Sequence, residues 1–411
     1  MNESSPDSSS LPVSNPPPNN LIVAGVWMLV LALFLFSCGA CAGIAYLVVP
    51  LTARGFDNLP GNVIFGSLAG IGIFLGAALA WQGANIFRRR EPRVAAKSFP
   101  PSIIFIILFL FAAIIGSIVL TLPGIATYAF PPWHLLAGAI PPIAFVAFAA
   151  RRLKSNSHMR ALVTALTWGA LGASSLAIAL EVLVGIAFLI LIAIVLTLMP
   201  GGMAALDQLQ SEILLSRGTL DPRVIQRLLT DPGILLAVIG FAAVIVPVLE
   251  ESVKALVVAF IDPRRTTLAD ATLWGIAAGA GFALFEGVMN SSIDLNLWVV
   301  NILARVTATI IHVANGATMG RGWYAARVEG RWNRLLTAFL ISVLLHAVWN
   351  GTAIALSALW ADFGDRLGGP WESLIPAGLP IALCGLVLAI CASSGLVWII
   401  HTTRPALPTA S

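Results

Sequence analysis

Along these 411 residues, polar and apolar positions separate into long blocks instead of alternating. Apolar runs fall near 21–49, 62–87, 102–122, 133–150, 161–199, 233–261, 271–290, 297–320, 335–357 and 375–401. Runs of about twenty such residues are what a helix needs to cross about 30 Å of hydrocarbon. The pattern therefore predicts an all-α, polytopic transmembrane helical bundle of about ten spans. The run at 161–199 would extend about 60 Å as a helix, twice the core thickness, and holds one span or two. Short cytoplasmic loops collect Lys and Arg, and this choice decides where those residues fall. One long, tilted or bent span places sixteen of the 23 basic residues on one side. Five (Arg54, Arg217, Arg223, Arg227 and Arg366) lie on the other, with Lys254 and Arg305 inside spans. On that reading both termini are cytoplasmic.

Between the blocks, residues 1–20 are rich in Ser, Pro and Asn and lack the basic start of a signal peptide, so they read as a disordered tail. Residues 21–200 are transmembrane helices without catalytic motifs. The amphipathic stretch 201–232 reads as short helices at the outer surface. A catalytic core is expected over 233–357, an outer loop and last span over 358–401, and a short tail over 402–411. Trp298, Trp323 and Tyr324, near span ends, are expected as interface anchors.

Composition narrows the function. Hydrophobic residues make up 58% of the chain and charged residues 10%, against about a quarter charged in soluble domains, which excludes an ordinary soluble enzyme. The net charge of +4 is too small and scattered for a nucleic-acid surface. Cys38, Cys41, Cys384 and Cys391 lie within apolar runs and imply no disulfide framework.

The informative charges are those inside the spans. The first four spans carry essentially no ionisable side chain at depth, whereas later ones carry Glu250, Glu251, Lys254, Glu286, Arg305, His312 and His346. Each Lys, Arg or Asp at mid-span costs about 2.5–3.5 kcal/mol on insertion scales, so these groups should converge on one another or on water. In VPVLEESVKAL, Glu250 and Lys254 share a face at i,i+4, and Glu251 reaches Lys254 at i,i+3. One ammonium can hold one carboxylate ionised, leaving the other for general acid–base work. Pro247 lacks an N–H, so the carbonyl of Ala243 is expected to be open. Gly275, Gly279, Phe282 and Glu286 step along one helical face, with the glycines allowing close helix approach. Arg305 and His312 share a face seven residues apart, continued by Gly316 and Gly320. His346 and Asn350, at i,i+4, offer donors to one point as an oxyanion site requires; Asn350 as interhelical glue is the plainer alternative. Carboxylates with two imidazoles can activate water directly or hold a divalent metal such as zinc, and sequence leaves both open. Glu181, in mid-run, has no assigned role.

The ordered set Glu250-Glu251-x-x-Lys254, Phe282-x-x-x-Glu286, the Arg305/His312 span and His346-x-x-x-Asn350 resembles the PrsW-type intramembrane proteases, relatives of the prenyl-protein CAAX endopeptidases. The resemblance covers about residues 233–355. It implies hydrolysis of a peptide bond in a membrane-embedded or juxtamembrane protein, as in regulated proteolysis for signalling. It also implies catalytic carboxylates at Glu250 and Glu251, a counter-charge at Lys254, water or metal contacts at Glu286 and His312, and oxyanion stabilisation by His346 and Asn350. If a metal is used, Glu250, Glu286, His312 and His346 are its expected ligands. Gly287 stands where many members carry Asn, and Asn350 where Asp also occurs. A bacterial cytoplasmic membrane, a membrane-protein substrate and the lipid bilayer complete the expectation. The competing readings are a proton- or ion-coupled transporter, since mid-membrane Glu, Lys and His also line transport paths, and a noncatalytic membrane scaffold.

Overall fold

A computed structural model describes residues 19–52, 59–90, 92–95, 99–122, 124–198, 236–237, 239–260, 262–366 and 374–404, with isolated positions between 203 and 211. The amino-terminal tail up to 18, almost all of the 201–232 surface segment and residues 405–411 lie outside the described residues. Among those described, the helices are α1 (Asn19–Thr52), α2 (Leu59–Phe87), α3 (Ser102–Leu120), α4 (Ala126–Arg152), α5 (Met159–Thr167), α6 (Ser174–Leu198), α7 (Val246–Lys254), α8 (Leu256–Ala259), α9 (Leu268–Ser291), α10 (Trp298–Arg327), α11 (Trp332–Arg366) and α12 (Leu374–Thr402). No strand forms among them, and the one non-helical pairing is an isolated bridge between Arg93 and His158. Among the described residues nine helices are long and apolar enough to cross a membrane. The protein is a multi-pass, all-helical membrane protein.

The long run at 161–199 forms one continuous path, α5 and α6 joined by a π turn at Trp168–Ala173. The expected span at 233–261 is more broken. A second π turn at Phe241–Ile245 leads into α7, and Ala255 interrupts the helix before the single turn of α8. These irregularities bracket the charged segment, and π turns commonly mark functional sites.

α9 is the axis of the bundle. In its most apolar 18-residue window 78% of residues are buried, against 17% for α1 and α3, so those outer helices face lipid. Two faces of α9 are small. A Cβ on Gly275 or Gly279 would collide with the carbonyls of Gly316 or His312 on α10, and one on Gly281 with the carbonyl of Leu166 on α5. Lipid tails are as apolar as leucine, so packing at backbone contact, and not water exclusion, holds such helices together.

Two polar clips fix the ends of α9. At its start Thr267 and Asp270 form a capping box, and Asp270 Oδ1 also accepts from Ser155 Oγ (2.6 Å), the Asn156 amide (2.9 Å) and Ser157 Oγ (2.8 Å) of the α4–α5 loop. Near its end the buried His134 of α4 donates from Nε2 to the Val288 carbonyl (2.9 Å) and accepts at Nδ1 from Trp298 Nε1 (2.8 Å). These partners assign a neutral tautomer. His134 is thus an ionisable side chain at depth in the fourth span, made acceptable by two hydrogen bonds. Trp298 is not the interface anchor expected: it is 1% exposed, because His134 offers its N–H a partner inside the protein. The four cysteines are free.

Replacing Gly279 by Ala should destabilise the bundle by about 1–3 kcal/mol, the cost of overpacking a close contact. Gly385, with open space around it, is the control, and its Ala variant should stay within about 0.5 kcal/mol. Unfolding of both variants in detergent is the measurement.

Candidate active site

Four helices deliver the charged side chains to one place. α7 carries Glu250, Glu251 and Lys254, α9 carries Phe282 and Glu286, α10 carries Arg305 and His312, and α11 carries His346. The α9–α10 glycine contact brings Glu286 and His312 together, since Gly279 lies against the carbonyl of His312 itself.

Lys254 is the hub. Its Nζ donates to Glu250 Oε2 (2.7 Å) and Glu251 Oε1 (2.9 Å) and lies 3.0 Å from His312 Nδ1. The Phe282 ring covers its remaining side, 4.0 Å from Nζ to the ring centroid, a cation–π contact strengthened by desolvation. One ammonium therefore bonds both carboxylates, as their i,i+4 and i,i+3 spacings allow, where it was expected to hold one and leave the other for acid–base work. Glu251 is the most enclosed. Its Oε1 also meets His346 Nδ1 (2.9 Å) and accepts from Asn315 Nδ2 (3.2 Å), which donates in turn to the Ser342 carbonyl (3.0 Å). Its other oxygen, Oε2, is buried without a hydrogen-bond partner among the described residues. His346 Nε2 stands 3.6 Å from Glu250 Oε2, and the two imidazoles meet edge to face with centroids 5.0 Å apart.

Glu286 sits at the rim, with its side chain 24% exposed. Its Oε1 accepts from Arg305 (2.8 Å) and Asn290 Nδ2 (2.9 Å), and Oε2 lies 2.6 Å from His312 Nε2. His312 Nδ1, facing the Lys254 ammonium, is the acceptor nitrogen, which puts the ring proton on Nε2 beside this carboxylate. Orientation of an imidazole through its far nitrogen is the arrangement found behind metal-ligating histidines.

Asn350 lies differently from the rest. Its amide nitrogen donates to the Ala242 carbonyl at 3.2 Å. Pro247 cannot donate to Ala243 in α register, nor to Ala242 in the π register of the Phe241–Ile245 turn. The carbonyl that Asn350 satisfies is thus one residue earlier than the one expected to be open. His346 and Asn350 do not direct these nitrogens at one point.

Three polar supports escaped the sequence reading. Asn315 lies three residues after His312 and Asn290 four after Glu286, so helical spacing alone would have flagged both. The bond from Trp168 Nε1 to the Val253 carbonyl (3.1 Å), tying the α5–α6 π turn to α7, had no spacing signal.

Glu250, Glu251, His312 and His346 each bring one ligand atom into a group whose members all lie within 4.8 Å of one another, and all four residues are buried; Glu286, expected among the ligands, is not in this group, and Glu251 is. Two carboxylates and two imidazoles form an N/O donor set suited to a divalent ion such as zinc. The unpartnered Oε2 of Glu251 is an acceptor with room for one more bond. The residues fit a metal.

A buried Glu/His cluster backed by a lysine inside a helical membrane bundle defines the class of membrane-embedded hydrolases. The chain belongs to the PrsW family of intramembrane metalloproteases, whose pattern it matches over residues 157–375, more than half its length. The match begins well before residue 233, taking in α5 and α6, the helices that pack on α7 and α9. No curated protein and no solved structure matches the chain.

Substituting Lys254 by Met should cost about 3–5 kcal/mol, because it strands two carboxylates without their counter-charge. Arg305→Gln should cost clearly less, since its pair with Glu286 is about a quarter exposed on both sides. Denaturant unfolding in detergent would rank the two.

Proposed function

We propose that this membrane peptidase cleaves a peptide bond within, or just outside, the membrane-embedded part of a protein substrate, as a step in regulated proteolysis. We place it in a bacterial cytoplasmic membrane with both termini cytoplasmic. The observation that carries the reading is the convergence of Glu250, Glu251, His312 and His346 around one positive charge in the bundle interior.

In this proposal Glu251, His312 and His346 would hold a divalent ion, zinc being the natural candidate, with one position left open and Glu250 beside it. Such an ion polarises a carbonyl and lowers the pKa of water. The chain's own groups do the rest. Glu251, pinned by Lys254, His346 and Asn315, is held for ligation by bonds to Oε1 that leave Oε2 free. Glu250, less enclosed, takes the proton of the attacking water and returns it to the departing amine. Lys254 supplies the counter-charge of both carboxylates. Glu286, clamped by Arg305 and Asn290, fixes the tautomer and direction of His312. Asn350 repairs the helix beside Pro247 and keeps α11 against the π turn, so that His346 faces the cluster.

Glu250→Gln and Glu251→Gln should each lower cleavage of a co-expressed single-span substrate by at least about a hundredfold, the scale of losing a general base, with protein level and assembly intact. Unchanged cleavage in both rejects the proposal. Purified protein should carry about one equivalent of divalent metal, lost in His346→Ala; a chelator should stop cleavage and added zinc should restore it.

A further inference from the structure

Glu181 is an acidic residue in a helix that is otherwise almost wholly apolar, and nothing above uses it. An ionisable group inside a span is a functional candidate by default, because its insertion cost has to be offset. α6 faces lipid over most of its surface: Val182, Leu183, Ile186, Leu189 and Ile190 are all between 53% and 65% exposed. One stripe of α6, however, lies on α7. Ala177, with Ala173 of the preceding π turn, shares a buried cluster with Val253 of α7 and Phe282 of α9, and further along Phe188 meets Phe241 with ring centroids 5.3 Å apart. A Cβ on Gly185 would sit 3.4 Å from the same ring. With 177 in one cluster with 253 and 188 against 241, the two segments run antiparallel. Glu181, one turn or about 6 Å beyond Ala177 on this stripe, is level with the turn from Pro247 to Glu250. Its carboxylate lies within electrostatic reach of Glu250, Glu286, Lys254 and His346.

The cations of the site are already engaged, Lys254 by Glu250 and Glu251 and Arg305 by Glu286. Among the described residues Glu181 has no hydrogen bond or ion pair, and it is absent from the four-residue donor group. It is therefore an acceptor on the wall of the site, half-buried, on the helix that separates the site from lipid. Among the described residues no cation of the site is left to complement it.

We infer that Glu181 is a substrate-recognition residue, an acceptor on α6 for a basic side chain, Lys or Arg, carried by the substrate's membrane segment beside the cleaved bond. This deepens the proteolytic reading and rests on it for the position of that bond. In a low-dielectric setting an ion pair discriminates strongly against a neutral analogue, which would leave the buried charge unmatched.

The test uses the full-length protein in nanodiscs and three labelled single-span peptides, identical except for Lys, Gln or Glu at the central position. Anisotropy reads binding, and mass spectrometry of the same samples reads cleavage. The wild type should bind the Lys peptide at least tenfold tighter than the Gln peptide. In Glu181→Gln that ratio should fall to about one, Glu181→Asp should retain part of it, and Glu181→Lys should shift preference to the Glu peptide. Equal binding of Lys and Gln peptides by the wild type, or a ratio that survives Glu181→Gln, overturns the inference. A Glu181-dependent Lys preference without any cleavage would leave recognition standing and count against the proteolytic reading alone.

Discussion

A cation buried among helices in a membrane has to bring its solvation with it, and in this protein that cation is Lys254. Its ammonium has three N–H groups. The fold supplies three acceptors, Glu250, Glu251 and His312, and an aromatic face from Phe282. No single helix could offer this set. Two acceptors come from the preceding turn of α7, one from α10, and the ring from α9. The demand for acceptors thus fixes how closely three helices approach, and the glycine contact of α9 with α10 is the packing that meets it. Bulkier residues at Gly275, Gly279 or Gly316 would move His312 away from the ammonium while leaving the hydrophobicity of the helices unchanged.

Around this centre each polar group is held by another farther out. His312 is oriented by Glu286, and Glu286 by Arg305 and Asn290. Glu251 is oriented by His346 and Asn315, and Asn315 by the backbone of α11. A buried polar network of this kind is stable only when its members are satisfied, which makes the exceptions informative. Among the described residues two carboxylate oxygens of the network are buried without a hydrogen bond, Oε2 of Glu286 beside His312 at the rim and Oε2 of Glu251 at the centre. The latter lies where two carboxylates and two imidazoles of a PrsW-family protease gather. The helical irregularities serve the same end: a π turn and a proline carry the chain into α7, and Asn350 takes up a carbonyl that the proline cannot.

Much of this was legible beforehand because the bilayer leaves a sequence few options. The apolar blocks had to be helices, and the charges within later blocks had to meet. The i,i+3 and i,i+4 spacings of Glu250, Glu251 and Lys254 fixed their common face, and the glycine spacing of α9 pointed to a close contact. Other features were hidden for physical reasons. His134 was overlooked because its satisfaction depends on Trp298 and Val288, more than 150 residues away in sequence. The π turns shift the free carbonyl from Ala243 to Ala242, a change of register that composition does not encode. Asn315 and Asn290 were readable from spacing yet passed over, because an amide in a span signals less strongly than a charge.

Local sequence decided which residues share a helical face and which segments must cross the membrane, since both follow from helical periodicity and the cost of exposing backbone or charge to lipid. Only the tertiary arrangement decided that this ammonium also meets an imidazole, that Trp298 points inward, and that Glu181 on an outer helix stands level with the cluster. Those outcomes depend on which helices lie side by side, and that neighbourhood is set by packing between segments far apart along the chain.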